Sequence, residues 1–261
     1  MKEEYEALLT FLKFIKELVV NSSKLNDDVN NNDEVCKYIS KKIVEISNVN
    51  LKVNGYDKLD FNKRLLIAAN HRSFFDVFLL IAALNKTVPF AAAKELYKVP
   101  FLKKYLPAIN CISVDRYTED ISTVKEQINT MKQHLENDNL ILFPEGECSY
   151  LNNEIQEFKK GGFMAVNKTG TLIVPAYIDI PKMNKINKWC IPTDDVSITF
   201  GDMIDPENVD GKKLNANKLT EYTHDKVLAL SKKKIWHNFL FFGKKIIFCV
   251  TMWLKIRWYL W

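Results

Sequence analysis

The chain has 261 residues, 47% apolar and 26% charged, which suffices for one sizeable α/β domain with appendages or for two small domains. Its net charge of +5 comes without a dense basic block or a known nucleic-acid module, so no nucleic-acid partner is expected. The five cysteines (Cys36, Cys111, Cys148, Cys190, Cys249) are scattered, with no CxxC and no histidine spaced for zinc, which fits a reduced setting and predicts no metal site.

Residues 5–20 put Leu8, Leu12, Ile15 and Val19 at helical spacing on one face. An Asn-, Asp- and Ser-rich stretch over 21–33 reads as a linker, and a second helix is predicted from about Asp33, as N-cap, to Ile46. Residues 1–48 are therefore expected to form an N-terminal helical hairpin. At Val49 the period changes: Val49, Leu51 and Val53 alternate with polar residues up to a turn at Asn54-Gly55. Strands are then predicted over 65–69, 88–93, 111–114, 140–143, 172–178 and 196–200. Helices are predicted over 75–84, 95–104, 121–136, 162–168 and 220–230. Ile121, Val124, Ile128 and Met131 share one face of their helix. Pro175 suggests an edge strand or an irregular one. This alternation predicts an α/β domain over 49–232, a mixed, mostly parallel sheet flanked by helices.

Residues 233–261 form the third expected unit. From Ile235 to Trp261 there are four Trp and four Phe among basic residues, the pattern of an amphipathic aromatic-basic C-terminal helix expected on a membrane surface, the alternative being a helix packed on the core. No run reaches about 18 uninterrupted apolar residues, so no spanning helix is expected. No cleavable signal peptide is expected from the acidic-leaning Met1-Lys2-Glu3-Glu4-Tyr5.

Four stretches carry chemistry. Asn70-His71 ends an apolar run, and Asp76 opens the next. A neutral imidazole can take a proton from a hydroxyl near neutral pH, and a carboxylate on its other nitrogen fixes the tautomer. His134, His224 and His237 lack such a setting. Ser113-Val114-Asp115-Arg116 is a strand end whose Arg can hold a phosphate or pair with Asp115. Leu142-Phe143-Pro144-Glu145-Gly146-Glu147-Cys148-Ser149 is a strand running into a Glu-Gly turn, where Gly permits close backbone approach and Glu can accept from a hydroxyl. Val174-Pro175-Ala176-Tyr177-Ile178 is the fourth.

In this order and spacing the four stretches resemble the conserved blocks of the glycerolipid acyltransferases, in particular the 1-acylglycerol-3-phosphate O-acyltransferase (lysophosphatidic acid acyltransferase) branch. Asn70, His71, Ser73 and Asp76 match the first block, Asp115 and Arg116 the second, Phe143, Pro144, Glu145, Gly146 and Ser149 the third, and Val174-Pro175 the fourth. The resemblance spans about residues 50–202. It implies His71 as general base, Asp76 as its orienting partner, and an acceptor-binding set of Asn70, Ser73, Lys94, Arg116, Glu145, Gly146 and Ser149. It implies no cofactor beyond the co-substrate, acyl-CoA or acyl carrier protein, a lysophospholipid acceptor, and a peripheral place on the cytoplasmic face of a membrane. Where the family's third block has Thr-Arg, this chain has Glu147-Cys148. The missing Arg is a usual phosphate ligand, which leaves that task to Arg116 and Lys94, with Lys159 or Lys160 in support. The alternatives are another lysolipid or an amine as acceptor, an inactive membrane-associated relative, or a hydrolase with Ser73 as nucleophile.

Overall fold

A computed structural model describes residues 2–26, 28, 31–149, 154–167, 169–186 and 189–232. The predicted C-terminal helix over 233–261 lies outside the described residues.

The strands are β1 (Val49–Asn54), β2 (Leu65–Ala69), β3 (Ala91–Ala93), β4 (Ile112–Val114), β5 (Leu140–Leu142), β6 (Leu172–Asp179), β7 (Met183–Ile186), β8 (Trp189–Pro192) and β9 (Asp194–Phe200). The helices are α1 (Lys2–Ser22), α2 (Asp33–Ile46), α3 (Asp76–Leu84), α4 (Tyr105–Ala108), α5 (Ile121–Leu135), α6 (Gly161–Val166) and α7, residues 216–232. The main sheet has the order β1-β9-β6-β2-β5. All its pairings are parallel except β6 with β9. A parallel β3–β4 pair attaches to its edge where Phe90 bridges Ile141.

Every residue of β2 is buried, which is why it reads as the unbroken apolar run Leu65–Ala69. Its side chains alternate between two cores. Leu65, Ile67 and Ala69 join Phe14, Leu18, Ile39 and Phe78 on one face, so α1, α2 and α3 share the sheet's own core. Leu66 and Ala68 join Met131, Phe163 and Leu219 on the other. The α/β class and the mostly parallel sheet are as expected from the sequence.

Two local readings change and a third is decided. Residues 95–104 are not one helix but a 3-10 turn over Lys94–Lys98 followed by bends and then α4. Val99 stands before Pro100, which disfavours the helical region, and it is extended with ψ 120°. Asp33, expected as an N-cap, is the first residue of α2 and accepts the Thr87 N–H at 2.7 Å. The strand with Pro175 is central, so of the two readings, edge or irregular, the irregular one holds. Pro175 fits there because β9 leaves the ladder at that point: Ala176 pairs with Phe200, Ile173 bridges Ile204, and Gly201 between them donates to the Pro175 carbonyl at 2.8 Å. A Cβ at Gly201 would meet the Pro175 ring at 2.8 Å, so the crossing requires glycine.

On α1, Ala7, Phe14 and Leu18 are buried, whereas Tyr5, Leu8, Leu12, Val19 and Val20 are exposed. Of the face that carries Leu8, Leu12, Ile15 and Val19, Ile15 alone is partly covered. No helix among the described residues is long and apolar enough to cross a membrane.

Candidate active site

The site forms where β2 ends, the position at which open α/β sheets collect ligands. Asn70 follows β2 and clips it to β6: its Nδ2 donates to the Ile178 carbonyl at 2.9 Å, and its Oδ1 accepts the Ile178 N–H at 2.7 Å. The chain then turns tightly. Asp76 opens α3, is fully buried, and its Oδ2 accepts the N–H groups of Arg72 at 2.6 Å and Ser73 at 2.9 Å. The same oxygen meets His71 Nδ1 at 2.8 Å. An anion held by two backbone donors is fixed in place, so it sets the imidazole tautomer with the proton on Nδ1 and Nε2 free to accept. The imidazole also stacks on Phe143, with centroids 4.2 Å apart. The backbone N–H groups of Arg72, Ser73 and Asp76 are all bonded within the turn, so none of the three is free to hold an oxyanion.

Ser73 is buried, and its hydroxyl donates to the Cys190 carbonyl on β8 while accepting the Phe75 N–H. Its proton is therefore directed away from His71, which removes the geometry a serine nucleophile needs.

The third block closes over His71. Gly146 completes a turn by donating to the Phe143 carbonyl at 3.0 Å, and its φ of +75° is one that glycine adopts without a Cβ penalty. Glu145 is only 4% exposed, and both of its oxygens are engaged by backbone: Oε1 accepts the His71 N–H at 2.8 Å and Oε2 the Gln156 N–H at 3.1 Å. Burial raises its carboxyl above the usual range, against the lowering effect of these donors. Ser149 N–H donates to the His71 carbonyl at 2.8 Å. The general-base candidate is thus held at its own backbone from both sides by the third block.

A cavity of about 1030 Å³ opens beside His71. Phe78, Leu102, Tyr105 and Leu106 line its apolar end. Arg116, Asp115, Glu147 and Lys159 line its charged region. Arg116 donates to the Gly146 carbonyl at 3.0 Å, with its guanidinium 5.2 Å from the Tyr117 ring centroid. Lys94 pairs with Asp115 at 2.5 Å, which raises the Lys94 ammonium and lowers the Asp115 carboxyl. Lys159 Nζ stands 2.9 Å from where a Cβ on residue 146 would sit, directly beside the third-block turn. The Cys148 thiol is pushed well up by burial.

Of the residues picked out from sequence, His71, Arg116, Gly146 and Ser149 line the cavity, and Asp76 stands behind His71. Asn70, Ser73, Lys94 and Glu145 lie off its wall. The Cys190 carbonyl, which anchors Ser73, and the Gln156 N–H, which anchors Glu145, were not foreseen; both are backbone groups and leave no mark on the side-chain sequence.

A family model described as Acyltransferase matches residues 50–179, the segment from β1 to the end of β6 that carries all four stretches. The chain belongs to the acyltransferase family. Within it, the chain is similar to the 1-acyl-sn-glycerol-3-phosphate acyltransferase of Saccharomyces cerevisiae, 30% identical over 155 residues, 55% of this chain and 49% of that protein. It is 28% identical over 148 residues to the enzyme of that name from Helicobacter pylori, 56% of this chain and 60% of that one. The chain spans about half the length of the curated relatives it matches. Its fold is that of the 1-acyl-sn-glycerophosphate (LPA) acyltransferase PlsC from Thermotoga maritima, with a TM-score of 0.66 at 20% identity over 89% of this chain and 95% of that one.

Proposed function

We propose that this acyltransferase-family chain moves a fatty acyl group from acyl-CoA or acyl carrier protein to the free hydroxyl of 1-acylglycerol-3-phosphate, giving phosphatidic acid. The observation that carries the reading is the His71–Asp76 pair, 2.8 Å apart at the mouth of a cavity with apolar and cationic regions. His71 Nε2 takes the hydroxyl proton, and Asp76 stabilises the imidazolium that forms. The alkoxide oxygen attacks the thioester carbonyl; the new C–O bond forms, the C–S bond breaks, and the proton leaves with the thiolate. No metal or prosthetic group takes part. Loss of the third-block Arg leaves Arg116 and Lys159 as the cations on the cavity wall for the acceptor's phosphate, while Lys94 is committed to Asp115.

The work is done at a membrane surface, since the acceptor resides in the bilayer. The exposed Tyr5, Leu8, Leu12, Val19 and Val20 on α1, with exposed Lys13 and Lys16 on the same helix, support peripheral attachment to a membrane surface. The cytoplasmic face is assigned with the acyl donor, which is a cytosolic co-substrate. One assay tests the reading: purified protein with labelled acyl-CoA or acyl carrier protein and a panel of lysolipids. Acylation of 1-acylglycerol-3-phosphate, abolished by His71→Ala, is expected; no acylated acceptor, or full rate in His71→Ala, removes the proposal.

A further inference from the structure

The face of α5 changes character along its length. Ile121, Val124, Ile128 and Met131 are spaced as one buried stripe, yet Ile121 is 70% exposed and Val124 is exposed too. Ile128 is half-buried, and only Met131 and Leu135 reach the core. Tyr117, just before the helix, is 66% exposed. Single exposed apolar side chains are ordinary, but this group adjoins the cavity: Tyr117, Val124, Gln127, Ile128 and Met131 line it, while Ile121, one helical turn before Val124, lies off its wall.

Two features set what could lie there. Arg116, at the start of the patch, is a cation on the cavity wall, so the surface is cationic at one end and apolar at the other. Gln127 carries an amide nitrogen that is buried and has no partner among the described residues, a donor that an ester carbonyl would satisfy. A phosphate, an ester and one hydrocarbon chain in that order are the parts of a lysophospholipid. The other apolar end of the cavity, at Phe78, Leu102, Tyr105 and Leu106, belongs to the separate core on the opposite face of the sheet and is distinct from this patch.

We propose that the open face formed by Tyr117, Ile121 and Val124 seats the acyl chain the acceptor already carries, with its phosphate at Arg116. This rests on the acyl-transfer reading above and extends it to how the acceptor lies. The test compares 1-acylglycerol-3-phosphate acceptors bearing a long or a short acyl chain, dispersed in detergent, with wild type, Ile121→Ser and Val124→Ser. The expected result is that the ratio of kcat/KM for long over short acceptor falls about tenfold or more in each variant, with the donor's KM unmoved. Ile121→Met should restore the ratio, which a folding defect would not allow. An unchanged ratio, or equal losses for both lengths, overturns the seat while leaving acyl transfer intact. Weaker binding to phosphatidylglycerol vesicles with an unchanged ratio also overturns it, assigning the patch to the bilayer. A wild-type chain that acylates neither acceptor removes the acyl-transfer reading and the seat with it.

Discussion

The cavity has two sides built to different standards. Around His71 the polar groups that set its position are buried and doubly held: Asp76 by two N–H groups, Asn70 by both of its amide functions, Glu145 by two more N–H groups. Around Arg116 the groups are exposed ions on long side chains, Arg116, Lys94 and Glu147, of which Lys94 pairs with Asp115. Buried networks of this kind specify a single geometry, whereas exposed pairs contribute little and can be re-paired. The contrast teaches where the chain is committed. Under the proposed function the base is the fixed part and headgroup recognition the adjustable one, which agrees with the third block carrying Glu145 and Gly146 beside Glu147 and Cys148.

The comparison can be broken most sharply at the base. His71→Ala should lower kcat by roughly 10²–10⁴-fold and Asp76→Asn by a similar factor, measured as acyl transfer with thermal melts as the check on folding. Next is Glu145→Gln, which leaves one N–H facing a donor. If Glu145 acts by positioning His71, kcat falls about 10–100-fold with the acceptor's KM nearly unchanged; a direct substrate contact would raise KM instead. The same residue gives a sign for pH. Its carboxyl is raised in the fold by burial, so the protonated form is favoured there: its stabilising contribution is full below the unfolded carboxyl range and is lost as pH rises through the folded value. The melting temperature of wild type relative to Glu145→Gln should therefore improve on acidification, while activity declines.

On the open side the effects should be smaller. Lys159→Ala and Arg116→Ala are expected to raise the acceptor's KM several-fold, with the effect shrinking at high salt, and Cys148→Arg to lower it by a comparable factor. Lys94→Ala should change KM least, within about threefold, because its ammonium is already paired with Asp115 and lies off the cavity wall. A Lys94 effect as large as that of Lys159 would erase the distinction drawn between them.

Much of the frame was legible in the sequence because burial writes itself into side-chain type. β2 was read at its observed limits from the run Leu65–Ala69, and β1 from its alternation. What stayed open depended on tertiary facts. Pro175 allowed an edge strand or an irregular one, and the break in the ladder opposite Gly201 decides for an irregular strand in the centre of the sheet. Apolar spacing on α1 and α5 marked a face of each helix, but such spacing does not say whether the covering partner is the protein itself. In the site, the residue types were legible and the roles of Asn70, Ser73 and Glu145 were not. Their partners are backbone groups of Ile178, Cys190 and His71, which no side-chain pattern encodes.

The contact from Ser73 to Cys190 spans 117 residues of chain, that from Asn70 to Ile178 spans 108, and that from His71 to Glu145 spans 74. Such pairings are slow to form, because chain entropy is lost before the contact compensates for it. A chain emerging from the ribosome thus carries His71 and Asp76 long before the segment that immobilises their turn has been synthesised. The turn becomes a working site only when β8 arrives, so a nascent or truncated chain ending before Cys190 holds both motif residues and should be silent as a transferase.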